Sequence, residues 1–452
     1  MKEKKYSINM TEGALLPKIV SFTIPLILSG ILQLLFNAVD MIVAGRFVGK
    51  NALAAIGSTS SLINLLVNVF LGLSVGVNVI VARYFGSGAK KDVSETVHTA
   101  ITLSVICGVI LTFIGIAFAP SILIIMGTPE DVLPLASLYI RIYFAGMPLS
   151  MLYNFGAAIL RASGDTKRPL YYLTISGAIN AVCNVAFIVI FGMGVDGVAY
   201  ATVLSQGISA FLTIKCLVKT DEIYRLEIKK LKIHKDKLLI ILAQGLPAGF
   251  QGALFSISNV LIQSSVNSFG SDAMAGNSAA SNLEGFVYVA MNSFYQTAVT
   301  FTSQNYGAKK LDRIRKIFFI CVSCVTVTGF VLGLLCYIFG PELLSIYADG
   351  TDKEIVISYG MRRVQIIMLT YFTCGIMDTV MGCVRGLGHS VIPMISSLLG
   401  ACGFRILWIM TVFKAVNTLE CLYYSYPISW VLTATVHTIT YVIIFHQIKK
   451  KA

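Results

Sequence analysis

The sequence predicts an all-α protein that crosses a membrane many times. Of its 452 residues, 56% are hydrophobic and 13% are charged, whereas a soluble globular protein carries about 25% charged residues. The apolar residues form long runs, each close to the roughly 20 residues that a spanning helix needs. The second half of the chain also repeats landmarks of the first. Together these observations predict twelve transmembrane helices in two six-helix lobes related by a parallel repeat.

Charged breaks and breaks containing glycine or proline divide the hydropathy into twelve segments. In chain order they are 19–45, 52–82, 97–118, 134–159, 169–191, 197–218, 238–266, 273–303, 317–339, 355–384, 391–413 and 421–446. The polar stretch KTDEIYRLEIKKLKIHKDK separates the sixth segment from the seventh. We therefore expect an N-terminal lobe at 1–218, a linker at 219–237 and a C-terminal lobe at 238–452.

The repeat follows from landmarks that recur in the same order. Residues 23–37 align with 245–259, which matches Pro25 to Pro247, and GAKK follows both the second and the eighth segments. Because each half has an even number of segments, both halves enter the membrane from the same side. That arrangement is a parallel repeat about an axis along the membrane normal.

The net charge of +13 reflects membrane orientation, and we expect no nucleic-acid partner. Most of the 35 lysines and arginines lie in the connecting and terminal stretches on one side of the predicted membrane, and the linker is one of these stretches. The positive-inside rule places that side, with both termini, in the cytoplasm. Linker cations at this position can contact anionic lipids, so membrane lipids are predicted partners. The ten cysteines lie mostly inside apolar runs and predict neither a disulfide framework nor a metal site.

The first segment carries a carboxylate at membrane depth. Gln33, Asn37 and Asp40 have the spacing that places them on one helical face. An acid within a spanning helix costs about 2.5–3.5 kcal/mol on insertion scales, so it normally faces protein or a wet cavity. We expect Asp40 to face a transport cavity and, without a cation at its depth, to exchange a proton. The alternative is an acid near the outer end that reaches the headgroups.

Polar residues elsewhere in the first half extend this predicted pocket. The fifth segment adds Asn180 and Asn184 at i and i+4, the sixth adds Thr202, and the fourth adds Asn154, which the repeat matches to Asp378. Each could instead serve as interhelical glue. Oxygens of Asp40, Asn180 and Thr202 would also suit Na⁺, so the coupling ion is H⁺, which we favour, or Na⁺.

One proline lies in the helix that carries Asp40. Pro25 removes a backbone hydrogen bond and its ring clashes with the preceding turn, which kinks a helix. We interpret Pro25 as a hinge for bending that helix; a fixed kink is the alternative.

Three further ionisable residues form a predicted polar cluster in the C-terminal lobe. Counting residues from the outer ends of their segments puts Glu284 and Arg405 at similar depth, which predicts an ion pair. Its role is structural or part of coupling. Asp378 precedes Arg385 by two turns near the cytoplasmic end, where it would cap or brace an inner gate.

Several stretches resemble the multidrug and toxic compound extrusion (MATE) family. They are NAVDMIVAGRFVG in the first segment, RASGDTKRP after the fourth and GMGVDGVAYATVLSQ leading into the sixth. The chain looks closest to the DinF-like branch, which carries an acid like Asp40 on its first helix. The resemblance implies two lobes facing each other across a V-shaped cleft and cation-driven export of organic, often cationic, compounds. Some DinF-like members have a second acid where this chain has Asn184.

The sequence and the resemblance together predict a multi-pass cell-membrane antiporter. It would export cationic amphiphilic xenobiotics by alternating access, as a monomer with no cofactor apart from its coupling ion. The alternative is a flippase of lipid-linked precursors, which would need a cationic central cavity. The chain contains no Walker loop, HExxH, GxSxG or clustered His/Cys ligands, so we expect a transporter with neither catalytic residues nor a metal centre.

Overall fold

The computed structural model describes residues 6–347 and 353–451, apart from the side chain of Ser61. Within these residues the regular secondary structure is helical. The first half contains α1 (Leu15–Val48), α2 (Lys50–Ser87), α3 (Lys90–Ile125), α4 (Leu133–Ala145), α5 (Met147–Ala162), α6 (Lys167–Ile190) and α7 (Val195–Lys219). The second contains α8 (Lys235–Asn267), α9 (Ser271–Gly307), α10 (Leu311–Ile338), α11 (Gly340–Ser345), α12 (Lys353–Gly386), α13 (Val391–Val416) and α14 (Leu419–Lys451).

The twelve predicted segments all fall on helices of the described chain. Among the residues that the structure describes, 10 helices qualify as membrane spans by length and composition, and α4 with α5, which meet at a 48° bend, make an eleventh. Gly146 separates α4 from α5. The new helix begins at Met147, and Pro148 in its first turn needs no backbone donor. Helix α9 is 37 residues long but more polar, and it carries the one remaining predicted segment, 273–303. The structure confirms the predicted all-α polytopic fold.

The described residues form two compact units. Unit 1 comprises 6–9 and Leu28–Gly249, and unit 2 comprises Met10–Ile27 with 250–347 and 353–451. The units differ from the predicted lobes because the first halves of α1 and α8 are interchanged. In α1 the change of unit comes two residues after Pro25, and in α8 it comes two residues after Pro247.

Glycines hold the first half of α8 against α2 within unit 1. Each helix contributes a GxxxG pattern, Gly72 and Gly76 on α2 and Gly245 and Gly249 on α8. A Cβ on Gly76 would lie 2.5 Å from the carbonyl oxygen of Ile241 and 2.8 Å from the nitrogen of Gly245, and one on Gly72 would overlap the backbone of Gly249. Small residues therefore allow these two backbones to approach closely.

The first half of α1 packs on α9 within unit 2. Phe22 and Phe301 are both buried and meet edge to face with ring centroids 5.5 Å apart. The hydroxyl groups of Thr23 and Thr297 lie 2.8 Å apart in a hydrogen bond. In the sequence repeat, this threonine pair corresponds to a glycine pair of the α2–α8 crossing. The equivalent helix crossings of the two halves are thus held differently, by a threonine hydrogen bond in one and by close glycine packing in the other.

Helices α12 and α13 contain π-helical turns beside arginines. The turn Val364–Met368 begins directly after Arg363, and the turns Leu398–Gly403 and Ile409–Phe413 lie on either side of Arg405. A π turn inserts an extra residue and re-aims the side chains around it, and such turns are frequent at functional sites. The π turns therefore mark Arg363 and Arg405 as candidate functional residues.

Candidate functional site

Asp40 lies at the centre of a buried polar site in unit 1. The side-chain amide of Asn184 on α6 donates to Asp40 Oδ1 at 2.5 Å and to Asn180 Oδ1 at 3.2 Å. Thr202 on α7 lies 3.4 Å from Asp40 Oδ2, and the Asn180 side chain is also within hydrogen-bonding reach of the carboxylate. These four residues are named the Asp40 site below. Asp40 was predicted as the coupling residue and the other three as pocket residues. Helices α1, α6 and α7 bring them together.

The hydrogen-bond partners of Asp40 are all neutral. In the part of the chain that the structure describes, no lysine, arginine or histidine forms an ion pair with its carboxylate, although only 9% of the residue is exposed. Two further buried acceptors, Oδ1 of Asn184 and Oε1 of Gln206, have no hydrogen-bond partner in the described chain. An ionised carboxylate in this setting lacks a compensating charge, so a proton or a bound cation would relieve the imbalance.

Two tyrosines that the sequence reasoning missed stand beside this site. Tyr139 and Tyr143 lie one turn apart on α4, with their rings stacked at a centroid distance of 6.1 Å. Both are close enough to Asp40 to interact with it electrostatically. Their i and i+4 spacing was a visible signal, since it puts two aromatic rings with hydroxyl groups on one face of a spanning helix.

The structure does not join the other three predicted pocket residues to Asp40. Gln33 and Asn37 are exposed on α1, and among the described residues neither forms a hydrogen bond with the Asp40 site. Asn154 donates to the carbonyl oxygen of Ser150 in its own helix, at 2.9 Å. Helical spacing predicts that these residues share a face of α1, but it does not specify which of them neighbouring helices cover.

The predicted ion pair between Glu284 and Arg405 is wrong. Glu284 on α9 instead pairs with Arg363 on α12, whose Nη2 and Nε lie 2.6 and 3.2 Å from Glu284 Oε2. Arg363 Nη1 donates to Asn277 Oδ1 at 2.8 Å. Arg363 is buried and Glu284 is partly buried, and the guanidinium is bound by both Glu284 and Asn277.

Arg405 contacts aromatic rings and a hydroxyl group, and no acid pairs with it in the described chain. Its guanidinium lies 4.2 Å from the centre of the Tyr426 ring, and its Nε donates to Ser429 Oγ at 2.9 Å. The Arg363 guanidinium lies 5.4 Å from the same Tyr426 ring. The two arginines thus share one aromatic side chain, and cation–π contacts of this kind strengthen when they are shielded from water.

Depth alone could not identify the partner of Glu284. Helix α9 packs directly against α12, whereas Arg405 is carried by α13, which packs mainly on α14. Arg363 lies at a depth similar to that of Glu284. It directly follows Arg362, however, and two adjacent arginines resemble the charged end of a span at the membrane surface. Its burial, with 6% of the residue exposed, shows that it belongs to the interior.

Asp378 is the third residue of the predicted C-terminal cluster, and it does not join the contacts of the other two. It is buried on α12, and within the described residues no hydrogen bond joins it to Glu284 or Arg405. All three nevertheless lie within electrostatic range of Cys374. Near Asp378, Arg385 donates to the Tyr295 hydroxyl at 2.5 Å and to Gln251 Oε1 at 2.6 Å.

Comparison with known proteins gives one consistent result. The MatE family model matches residues 25–186 and 247–411, which are the two halves of the repeat. The chain is 30% identical over 394 residues to the probable multidrug resistance protein YoeA of Bacillus subtilis (strain 168), covering 85% of this chain and 84% of that protein. It is 26% identical to an FAD transporter of Shewanella oneidensis, over 73% of each chain.

A solved structure supports the same fold. A crystal structure of a MATE protein in complex with MaL6 superposes with a TM-score of 0.92 at 21% identity, over 99% of this chain and 100% of that one. The twelve helical segments, the internal repeat and the family match across both halves lead to one conclusion. The chain belongs to the multidrug and toxic compound extrusion family, whose members are membrane transporters rather than enzymes.

Proposed function

We propose that this protein exports cationic amphiphilic compounds from the cell in exchange for protons, with Asp40 as the coupling group. The observation that carries the proposal is that, among the described residues, the buried Asp40 has neutral hydrogen-bond partners only. One carboxylate that binds either a proton or a cationic substrate is sufficient for exchange, because the two then compete for the same group.

The direction of transport follows from the proton gradient. Deprotonated Asp40 carries a negative charge that attracts a cationic substrate on the inside. On the more acidic outside, protonation removes that charge and releases the substrate. Return of the protonated site to the inside and loss of the proton then reset the transporter. Asn184 and Thr202 stabilise the deprotonated state by donating hydrogen bonds to it.

Pro25 is the hinge of this cycle. It lies two residues before the position at which α1 changes from unit 2 to unit 1. A proline at that position weakens the helix where its two halves belong to different compact units. Bending at Pro25 would move Asp40 while Phe22 and Thr23 stay packed on α9.

Sodium is the second candidate for the coupling ion. Oxygens of Asp40, Asn180 and Thr202 are already gathered in one site, and oxygen ligands are those that hard cations prefer. We favour protons because the fourth residue of the Asp40 site is Asn184 and not a second acid. One carboxylate is enough to carry a proton.

The relatives favour export over lipid flipping. The B. subtilis relative is named a multidrug resistance protein. A flippase for diphosphate-linked precursors would need free cationic groups, whereas Arg363 and Arg405 are engaged by Glu284, Ser429 and aromatic rings. The stacked Tyr139 and Tyr143 place aromatic rings close to Asp40, and aromatic rings attract organic cations. The proposal includes a monomer of the DinF-like branch in the cell membrane, with both termini cytoplasmic.

Reconstitution with independent gradients tests this function. Proteoliposomes carrying an imposed H⁺ gradient, an imposed Na⁺ gradient or neither are supplied with a fluorescent cationic amphiphile. Accumulation against its concentration gradient driven by H⁺ alone is the expected result. Accumulation driven by Na⁺ alone would replace the proton with sodium, and transport of an anionic organic compound but not the cation would refute the substrate class.

A further inference from the structure

The linker between the two halves belongs to unit 1 and is fastened to the rest of that unit at its beginning. Tyr224 and Leu226 are almost fully buried, with 1% and 2% of each residue exposed. The backbone N–H of Leu226 donates to the carbonyl oxygen of Leu217 on α7 at 2.8 Å. The chain leaving α7 therefore turns back onto the helix and does not extend away from it.

The linker is fastened again where it approaches α8. The backbone N–H of Glu227 donates to His98 Nε2 on α3 at 3.1 Å, and that of His234 donates to Thr99 Oγ1 at 3.1 Å. The ammonium group of Lys237 at the start of α8 bonds Asp92 at 2.5 Å. Both ends of the stretch 228–232 are thus held against unit 1 by specific contacts.

Between these attachments, 228–232 presents an exposed apolar edge. Residues Ile228–Lys230 form a 3₁₀ turn, in which side chains at i and i+3 eclipse each other. Ile228 and Leu231 therefore share one edge of the turn, and they are 61% and 41% exposed. We call this pair the linker edge. A large part of both side chains is left uncovered by the rest of the described chain.

Lysines surround the linker edge. Lys229, Lys230 and Lys232 are all exposed. Lys230 bonds Glu227 at 2.9 Å, and this hydrogen bond lowers the pKa of Glu227, so that carboxylate stays ionised at neutral pH. Three lysines and one glutamate leave 227–232 with a net charge of +2. The surface is therefore apolar along one edge and cationic on its flanks.

We infer that the linker edge inserts into an anionic lipid surface, with Lys229, Lys230 and Lys232 contacting lipid phosphates. The stretch lies between the end of one candidate span, Val195–Lys219, and the start of the next, Lys235–Asn267, so a bilayer surface is its neighbour. Apolar side chains gain by entering acyl chains, and each lysine near an anionic leaflet strengthens association about fivefold. A fixed lipid contact here would hold unit 1 at a defined depth.

Hydrogen exchange in two kinds of lipid nanodisc tests this inference. One contains phosphatidylcholine alone, and the other contains equal parts of phosphatidylcholine and phosphatidylglycerol. The amides of 228–232 are expected to exchange at least about fivefold more slowly in the anionic nanodiscs. The variant K229Q/K230Q/K232Q should lose that difference, and I228S/L231S should lose most protection in both nanodiscs.

A matched triple variant controls for general charge. Lys449, Lys450 and Lys451 end α14 and are exposed, so K449Q/K450Q/K451Q removes the same charge without touching the linker edge. It should leave linker exchange unchanged. Equal exchange of 228–232 in the two nanodiscs, or an equal effect of the two triple variants, would overturn the inference.

Photocrosslinking provides a second, independent readout. A diazirine amino acid in place of Leu231 is expected to attach to phospholipid, whereas the same group in place of the exposed Glu222 should not. Absence of lipid adducts at position 231 in anionic nanodiscs would also overturn the inference. Neither readout depends on transport, so D40N should behave as the parent does in both, and failure of the proposed function would leave this result intact.

Discussion

The side-chain amide of Asn184 donates to the buried carboxylate of Asp40 at 2.5 Å. This bond joins α6 to α1 and favours the charged form of the acid. Asn184 Oδ1 has no partner in the described chain, so the amide is committed to Asp40 and Asn180 through its nitrogen alone. In the proposed exchange cycle, this bond favours the ionised form of Asp40 that binds the cationic substrate.

Removing this bond should change the pH dependence of substrate binding. In Asn184→Ala the ionised form of Asp40 loses a donor, so higher pH is needed to reach the substrate-binding state. The pH of half-maximal binding, measured by fluorescence titration, should rise. Asn154→Ala is the matched control, because Asn154 donates to Ser150 within its own helix. Superimposable profiles for the parent and Asn184→Ala would contradict the role of the bond.

The corrected ion pair makes a stability prediction. Glu284→Gln or Arg363→Met alone should destabilise the protein by about 3–5 kcal/mol, because each leaves one buried charge without its partner. The double variant should recover much of the thermal unfolding temperature. Glu284→Gln with Arg405→Met should not recover it. If Arg405→Met did rescue Glu284→Gln, that result would instead support the Glu284–Arg405 pair predicted from depth.

The glycine crossing of α2 and α8 predicts a sharp difference between two similar substitutions. In Gly72→Ala the new Cβ would overlap the backbone of Gly249, whereas around Gly57, also on α2, there is open space. Gly57→Ala should be neutral or stabilise by about 0.5–1 kcal/mol through helix propensity. Gly72→Ala should lower the unfolding temperature and the yield of monodisperse protein. Equal behaviour of the two variants in size-exclusion chromatography would argue against this crossing.

The hinge assignment predicts a kinetic defect without a binding defect. Pro25→Ala restores a backbone donor and stiffens α1 where it changes unit. Substrate affinity should stay near that of the parent, while the transport rate at saturating substrate falls. Pro427→Ala is the control, since Pro427 lies inside α14, away from any change of unit. Unchanged transport by Pro25→Ala would identify Pro25 as a fixed kink.

Hydropathy and the repeat were enough to predict the helices. A long apolar run that crosses a bilayer must satisfy its own backbone hydrogen bonds, and a helix does so within the run. The Asp40 site was predictable for a similar reason: Asn180, Asn184 and Thr202 are polar positions on apolar helices. Helix neighbours were not predictable. Glu284 pairs with Arg363 because α9 packs on α12, and nothing local to either residue specifies that contact. The interchange of the first halves of α1 and α8 likewise depends on long-range packing around Thr297 and Gly76.

The most direct test of the central claim is transport by Asp40→Asn in proteoliposomes with an imposed H⁺ gradient. The amide is nearly isosteric with the acid, so the protein should fold, but it no longer titrates. The parent, and Asp378→Asn as a second buried variant, should accumulate the cationic amphiphile against its gradient. Asp40→Asn should only equilibrate it, and should bind it with an affinity independent of pH. Accumulation by Asp40→Asn at the rate of the parent would contradict the account and move proton coupling to Glu284 or Asp378.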